Sequence, residues 1–261
     1  MQLKCLVENP LESLSITEQK MSKYLCRDTK CLNYDAIIFD HDNTLAPAIG
    51  VGQDLFEPVF DAIRAQIPSE CQSDPRYLTR VDQALEACWY TAFDAVADLY
   101  EFTAEMTAAG KRAFVELKVP ASSRYAHYED SVLVKELNQQ IPCFLVTSGF
   151  TTFQNSKIDH LKMRDWFDDI VIDAVEVPEP LGKKSIFQAL AAKHGPFHPA
   201  RVLVVGDNPI SEIAAGNAAG MHTVQVLRPG VAEDAQAMYH VLGLRDLWPI
   251  LNLANGTFHQ M

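Results

Sequence analysis

The sequence predicts an α/β protein: a parallel sheet wrapped by helices and interrupted once by an all-helical segment. Three observations predict it. From residue 131 onward, short apolar strands alternate with helical segments, the pattern of successive βα units. One more apolar run, "DAIIFD" at 35–40, has the same character but stands far upstream. Between them, over residues 53–117, no β-rich run occurs and the periodicity is helical throughout.

Residues 1–33 read as an extension, in which Ser15-Ile16-Thr17-Glu18 has a capping-box pattern and predicts a short helix over about 16–25. "DAIIFD" is a buried strand. "LAPAIGVG" at 45–52 carries Pro and Gly and reads as a loop. The helical patterns "DLFEPVFDAIRAQI", "LTRVDQALEACWYTAFDAVADLYEF" and "AEMTAAGKRAFVEL" follow. After "VPASSRYAHYED" come a helix "SVLVKELNQQ", a strand "CFLVTS", a helix around 152–163 and a strand "DIVID". The helix "KKSIFQALAAKHG" then leads to "RVLVVGD", and "ISEIAAGNAAG" leads to "HTVQVL". A last helical segment is expected around "AEDAQAMYHVLG". The expected division is an extension at 1–33, an α/β core from 34–47 and 126–261, and a helical insertion at 48–125.

Composition narrows the function classes. The 261 residues are 48% hydrophobic, spread evenly, which supports one large core with a smaller appended unit. A net charge of −12 without a Lys/Arg cluster speaks against nucleic acid as partner. "MQLKCLVENP" has no signal-peptide pattern, and no window approaches the about 18 apolar residues of a membrane span. The expectation is a cytoplasmic protein without a membrane partner. Cys5, Cys26, Cys31, Cys71, Cys88 and Cys143 read as structural or incidental thiols, because Cys26 and Cys31 lack a second pair to complete a zinc site.

Ligands of an open parallel sheet bind beyond the carboxyl ends of its strands. Those ends carry Asp40 and Asp42, then Thr147-Ser148-Gly149, then Gly206-Asp207-Asn208-Pro209 with Glu212 beyond, while Lys183 and Lys184 precede a helix. Carboxylates sharing one mouth repel: at about 5 Å and an effective dielectric near 20, each pair costs about 3 kcal/mol. Protonation or a divalent cation relieves this, and carboxylate and carbonyl oxygens suit Mg²⁺. A Lys and a Thr beside such a metal suit a phosphoryl group, whose oxygens need positive charge and donors.

"FDHDNTL", "FLVTSG", "GKKSIF" and "VVGDNPISEI" resemble, in order, the four motifs of the haloacid dehalogenase (HAD) superfamily, over about residues 34–253. The resemblance implies a Rossmann-like parallel sheet core with an inserted helical cap of the C1 type. It implies Asp40 as a nucleophile forming an aspartyl-phosphate, and Asp42 as general acid and base whose backbone carbonyl also ligates Mg²⁺. Thr147 and the Ser148 amide would bind phosphate, Lys183 would neutralise nucleophile and phosphate, and Asp207 would complete the metal site. Alignment through Ile186-Phe187 favours Lys183 over Lys184. Glu212, where the family usually has Asp, would bind Mg²⁺ through water or position Lys183. Asn208 and Thr44 are supporting candidates, Thr44 by orienting Asp42.

An acid at position 42 favours phosphatase over dehalogenase, since halide leaves without a proton. The expected activity is Mg²⁺-dependent hydrolysis of a small soluble phosphate monoester. A phosphomutase sharing the covalent step, or a catalytically silent HAD-like binding module, are the alternatives. His41 should point away from both aspartates by strand alternation and pack beneath the loop or line the cap hinge. Asn43 reads as a turn residue. Gly50 and Gly52 are candidate hinges into the cap, with residues 119–125 as the return. Tyr90, Phe93, Tyr100, Lys111, Arg112 and Arg124 could face substrate, although the aromatic stripe reads as cap core and Lys111 and Arg112 as solvated. The sequence leaves the oligomeric state open.

Overall fold

The four apolar residues Ala36–Phe39 form strand β1, buried along its whole length. The computed structural model to which it belongs describes residues 34–89 and 91–251, so the helix expected at 16–25 and Tyr90 lie outside the described residues. The other strands are β2 (Cys143–Gly149), β3 (Asp169–Ala174), β4 (Val202–Gly206), β5 (His222–Val226) and β6 (Tyr239–Val241). They make one sheet in the order β3-β2-β1-β4-β5-β6, parallel at every pairing. β1 therefore lies between β2 and β4, where the strand order reverses and a crevice opens. Asp40 leaves the sheet there, its amide still bonded to the Val205 carbonyl at 2.9 Å.

Strand alternation divides the core into two faces. Ala36 and Ile38 join Phe144, Val146, Val202 and Val204 under the helix Lys183–His194. Ile37 and Phe39 join Leu145, Leu203 and Val205 in a larger cluster that continues into the helical insertion through Phe56, Phe60 and Phe114.

The insertion is helical, as read from the sequence. The 3₁₀ turn Ala48–Val51 occupies part of the expected loop, and a second, Gln53–Phe56, takes the place of the first residues of the expected helix 54–67. Helices α1 (Glu57–Arg64), α2 (Pro75–Ala87), α3 (Phe93–Leu99) and α4 (Ala104–Glu116) follow. Asp74 caps α2 by accepting from the Arg76 amide, and Thr103 caps α4 by accepting from the Met106 amide. The helical pattern expected to run through 78–102 is thus two helices. Trp89 sits in the break and stacks on Phe56 at 4.0 Å.

Beyond the insertion, α5 (Leu133–Leu137), α6 (Thr151–His160) and α7 (Lys183–His194) precede α8 (Ala214–Ala218), itself entered through a π-helical turn, Pro209–Ile213. A short α9 (Leu247–Leu251) ends the described chain. The last expected helix, at 232–243, is corrected. Its second half is strand β6, in register with β5 through Val224↔Tyr239 and Val226↔Val241. Asp234 folds its carboxylate onto the Gln236 amide, and Gln225 of β5 ties down the Ala232 carbonyl and the Asp234 amide. Those bonds stop a helix from starting and leave the β-favouring Tyr-His-Val triplet to extend the sheet. No helix among the described residues is long and apolar enough to cross a membrane.

Candidate active site

The carboxyl ends of β1, β2 and β4 and the start of α7 bring most of the singled-out residues together. Asp40, at the end of β1, is 5% exposed. Lys183, on the first turn of α7, reaches it with Nζ 2.6 Å from Oδ1 and also donates to the Glu212 carboxylate. Lys183 is buried, whereas Lys184 points to solvent. Glu212 lies in the π-helical turn, where its second oxygen accepts from the Asn208 amide at 3.1 Å. Gly206 makes room for it: a Cβ there would meet the Glu212 Cγ at 2.5 Å.

Ligand oxygens of Asp40, Asp207 and Glu212 all fall within 4.8 Å of one another. Burial pushes the Asp40 carboxyl well above its ordinary range, Glu212 adds to the push, and Lys183 opposes it. Burial and the Glu212 charge push Asp207 up to about 7. Lys183 goes the other way: burial disfavours its charge, but Asp40 and Glu212 outweigh that and hold its proton more tightly than usual. One ammonium among three carboxylates leaves an excess of negative charge. A hard, oxygen-only donor set with that excess fits Mg²⁺.

Asp42 is placed differently. Its Oδ2 accepts from Lys157 Nζ at 2.5 Å and from Gln154 Nε2 at 3.1 Å, and its Oδ1 lies 3.2 Å from His41 Nδ1. Burial alone would raise its pKa, but the Lys157 and His41 interactions prevail and hold it far below the usual carboxylate range. Lys157 and Gln154 are one turn apart on α6, and both are buried. No sequence motif marks them; the only trace is a helix with weak apolar periodicity whose buried face includes polar residues.

Two expectations about the loop are corrected. His41 is buried, as read, but turns toward Asp42, because strand geometry ends at Phe39 and alternation does not extend past it. Thr44 does not reach Asp42; its hydroxyl lies 3.5 Å from Asp207 Oδ1 as a donor. Asn43 holds the turn with φ 56°, its side chain accepting from the Ala48 amide. Asn208 uses its side chain to accept from the Ile210 amide at the start of the π-helical turn. Thr147 is buried at the end of β2, and the Ser148 carbonyl accepts from Gln154.

Among the cap candidates, Phe93 is buried against Gly110, so it belongs to the helical core. Lys111 pairs with Asp94 at 2.8 Å, and Arg112 and Arg124 face solvent. Sequence reasoning also missed Tyr125, buried with its hydroxyl unpartnered, whose proton is held more tightly by burial and by the charge of Asp42.

A parallel sheet in this order, with acidic groups and a lysine gathered at its switch point, defines a doubly wound α/β fold with its ligand site in that crevice, and the comparisons with known proteins specify it. The profile of haloacid dehalogenase-like hydrolases matches residues 34–220, and the chain belongs to that family of α/β, Rossmann-like hydrolases. It is 24% identical over 238 residues to YfnB of Bacillus subtilis (strain 168), named as a HAD-hydrolase; the match covers 85% of this chain and 97% of YfnB. It is 36% identical over 80 residues to the pyrimidine 5′-nucleotidase YjjG of Escherichia coli (strain K12), but that stretch is only 35% of YjjG and 30% of this chain. A magnesium-bound crystal structure of YfnB superposes with a TM-score of 0.59 at 18% identity, over 85% of this chain and all of that one. A HAD phosphatase from Thermococcus onnurineus gives 0.52 at 20% identity, over 83% and 97%.

Proposed function

We propose that the protein is a Mg²⁺-dependent phosphatase that hydrolyses a small phosphate monoester through an aspartyl-phosphate on Asp40. The observation that carries this reading is the gathering of Asp40, Asp207 and Glu212 oxygens within 4.8 Å of one another, two of the three carboxylates bonded to the buried ammonium of Lys183. Asp40, Asp207 and the Asp42 carbonyl would hold Mg²⁺, with Glu212 beside them. When bound, the ion would neutralise charge on the phosphoryl oxygens and on the carboxylates.

An Asp40 oxygen attacks phosphorus, and the bond from phosphorus to the ester oxygen breaks. Asp42 gives its proton to the departing alkoxide. It then takes a proton from water, whose oxygen attacks phosphorus and releases Asp40 and inorganic phosphate. Thr147 and the Ser148 amide bind the phosphoryl oxygens, and Lys183 favours the ionised form of Asp40 against its burial and the Glu212 charge. With Lys157 and Gln154 on its carboxylate, Asp42 holds no proton, so it must leave them to act as an acid. Residues 48–125 form the cap over a core of 34–47 and 126–261, and Gly52, with φ 97°, is the glycine on entry whose backbone requires the absence of a side chain.

The test is a panel of phosphate monoesters assayed with and without Mg²⁺, with nucleoside 5′-monophosphates included because of YjjG. Expected is Mg²⁺-dependent phosphate release, abolished in Asp40→Asn while the fold persists. No turnover across the panel, or full activity in Asp40→Asn, overturns the reading.

A further inference from the structure

Arg228, just past β5, is a buried cation that none of these steps uses; it is 8% exposed. Its guanidinium binds Asp130 through two nitrogens, at 2.7 and 3.0 Å. The same group donates to the Thr44 carbonyl from Nη2 at 3.0 Å and Nε at 3.4 Å. Its plane lies over the Tyr128 ring, 4.1 Å from the centroid. Asp130 in turn accepts from the Leu244 amide at 2.7 Å. One ion pair thus joins the loop that follows β1, the segment returning from the helical insertion, and the turn after β6.

A buried ion pair is weak evidence for stability alone, because an apolar group of similar volume often serves as well. What an apolar group could not supply here is a donor to the Thr44 carbonyl. That carbonyl sits two residues past Asp42, on the residue whose hydroxyl meets Asp207. The neighbouring Leu45 carbonyl is also held from the return segment, by the Ser131 hydroxyl at 2.7 Å and the Tyr128 amide at 2.9 Å. The loop is therefore fixed from outside the sheet on consecutive carbonyls, and the fixing charge is delivered where the loop turns toward the carboxylates. The Tyr128 phenol feels the charges of Asp207 and Asp42, which places this cluster at the border of the site.

We propose that Arg228, oriented by Asp130, is a positioning residue for metal binding: it sets the Thr44 backbone, and through it the direction of the Asp42 carbonyl and the Thr44–Asp207 contact. The proposal rests on the reading of Asp40, Asp42 and Asp207 as a Mg²⁺ site. Groups that orient a metal's ligands commonly alter its affinity by about 10–100-fold.

The experiment is Mg²⁺ titration by calorimetry on the full chain, compared with Arg228→Lys, Asp130→Asn and Leu190→Ala. Arg228→Lys keeps the charge but cannot hold Asp130 bidentately and Thr44 at once. Leu190→Ala lowers stability from the opposite face of the sheet and serves as control. Expected is a Kd for Mg²⁺ raised about tenfold or more in both ion-pair variants and unchanged in the control. Should Arg228→Lys fail to fold, Asp130→Asn decides alone. Mg²⁺ affinities in the ion-pair variants equal to wild type, with wild type binding, overturn the positioning role only. A wild-type chain that binds no Mg²⁺ overturns the metal site, and this inference with it.

Discussion

Lys157 changes what Asp42 can do. A carboxylate facing an ammonium, a carboxamide and an imidazole gives up its proton readily, whereas in the proposed mechanism a leaving alkoxide needs one from it. Replacing the ammonium with an uncharged chain of similar length lets Asp42 keep its proton to higher pH. With an alkyl phosphate ester, the alkaline limb of the pH–rate profile of Lys157→Met is expected to move up by about one pH unit or more. An unmoved limb would show that Lys157 does not tune the acid. Asp207 makes the complementary case. An unfolded aspartate loses its proton at about 3.9, the folded one at about 7. Between those values the folded state binds the additional proton, so metal-free stability falls as pH rises through that window. At the proposed site Mg²⁺ would bind the deprotonated form, so its affinity is expected to rise toward pH 7 by up to about tenfold per pH unit for each proton released. Thermal unfolding in EDTA and in Mg²⁺ across that range checks both signs; a metal-free melting temperature that climbs with pH would refute the first. The sequence showed Asp40, Asp42, Asp207 and Lys183 because each stands at a strand end or helix start in a recognisable order. It did not show Lys157, Gln154 or Arg228, whose importance comes only from which helix or loop packs beside the site.

At the scale of elements, the strands were legible because a run of four to seven apolar residues has few alternatives, and β1, β2 and β4 fall where their runs predict. Elements fixed by side-chain bonds rather than periodicity were not. β6 follows from Gln225 holding 232 and 234, and the break between α2 and α3 holds Trp89 stacked on Phe56. The π-helical turn after β4 belongs with these, since its extra residue lets Glu212 fold back beneath Gly206. That junction is sensitive to one methyl group. In Gly206→Ala the new Cβ overlaps Glu212 at 2.5–2.6 Å, so either the side chain or the turn must move. Lys183 then loses one of its two carboxylates. The expected result is phosphatase activity reduced about 10–100-fold with the sheet intact by circular dichroism. Activity within twofold of wild type would mean that Glu212 does not set the Lys183 position.

At the scale of the whole molecule, α6 connects the helical insertion to the chemistry. Phe150, at its start, stacks on Phe114 of α4 with ring centroids 5.0 Å apart, and Phe153 packs edge-on against Phe56 at 5.8 Å. The Val119 amide, past the end of α4, donates to Ser156 of the same helix at 2.9 Å. Next to Phe153 and Ser156 on the same helix, Gln154 and Lys157 are presented to Asp42. A displacement of the insertion would therefore act on the partners of Asp42 through a packed aromatic seam, and packed seams shift as units rather than deform gradually. Phe114→Ala removes the ring that stacks on Phe150 and meets Phe56 edge-on, without touching the site. It is expected to cost about 3–5 kcal/mol in urea denaturation, as buried Phe truncations do. If the seam transmits, Phe114→Ala should also shift the same alkaline limb of the pH–rate profile that Lys157→Met shifts, because both loosen the hold on Asp42. Combining the two substitutions should then add little further shift, since contacts acting through one element are not independent. Lower stability with an unmoved limb would restrict the seam to holding the insertion in place.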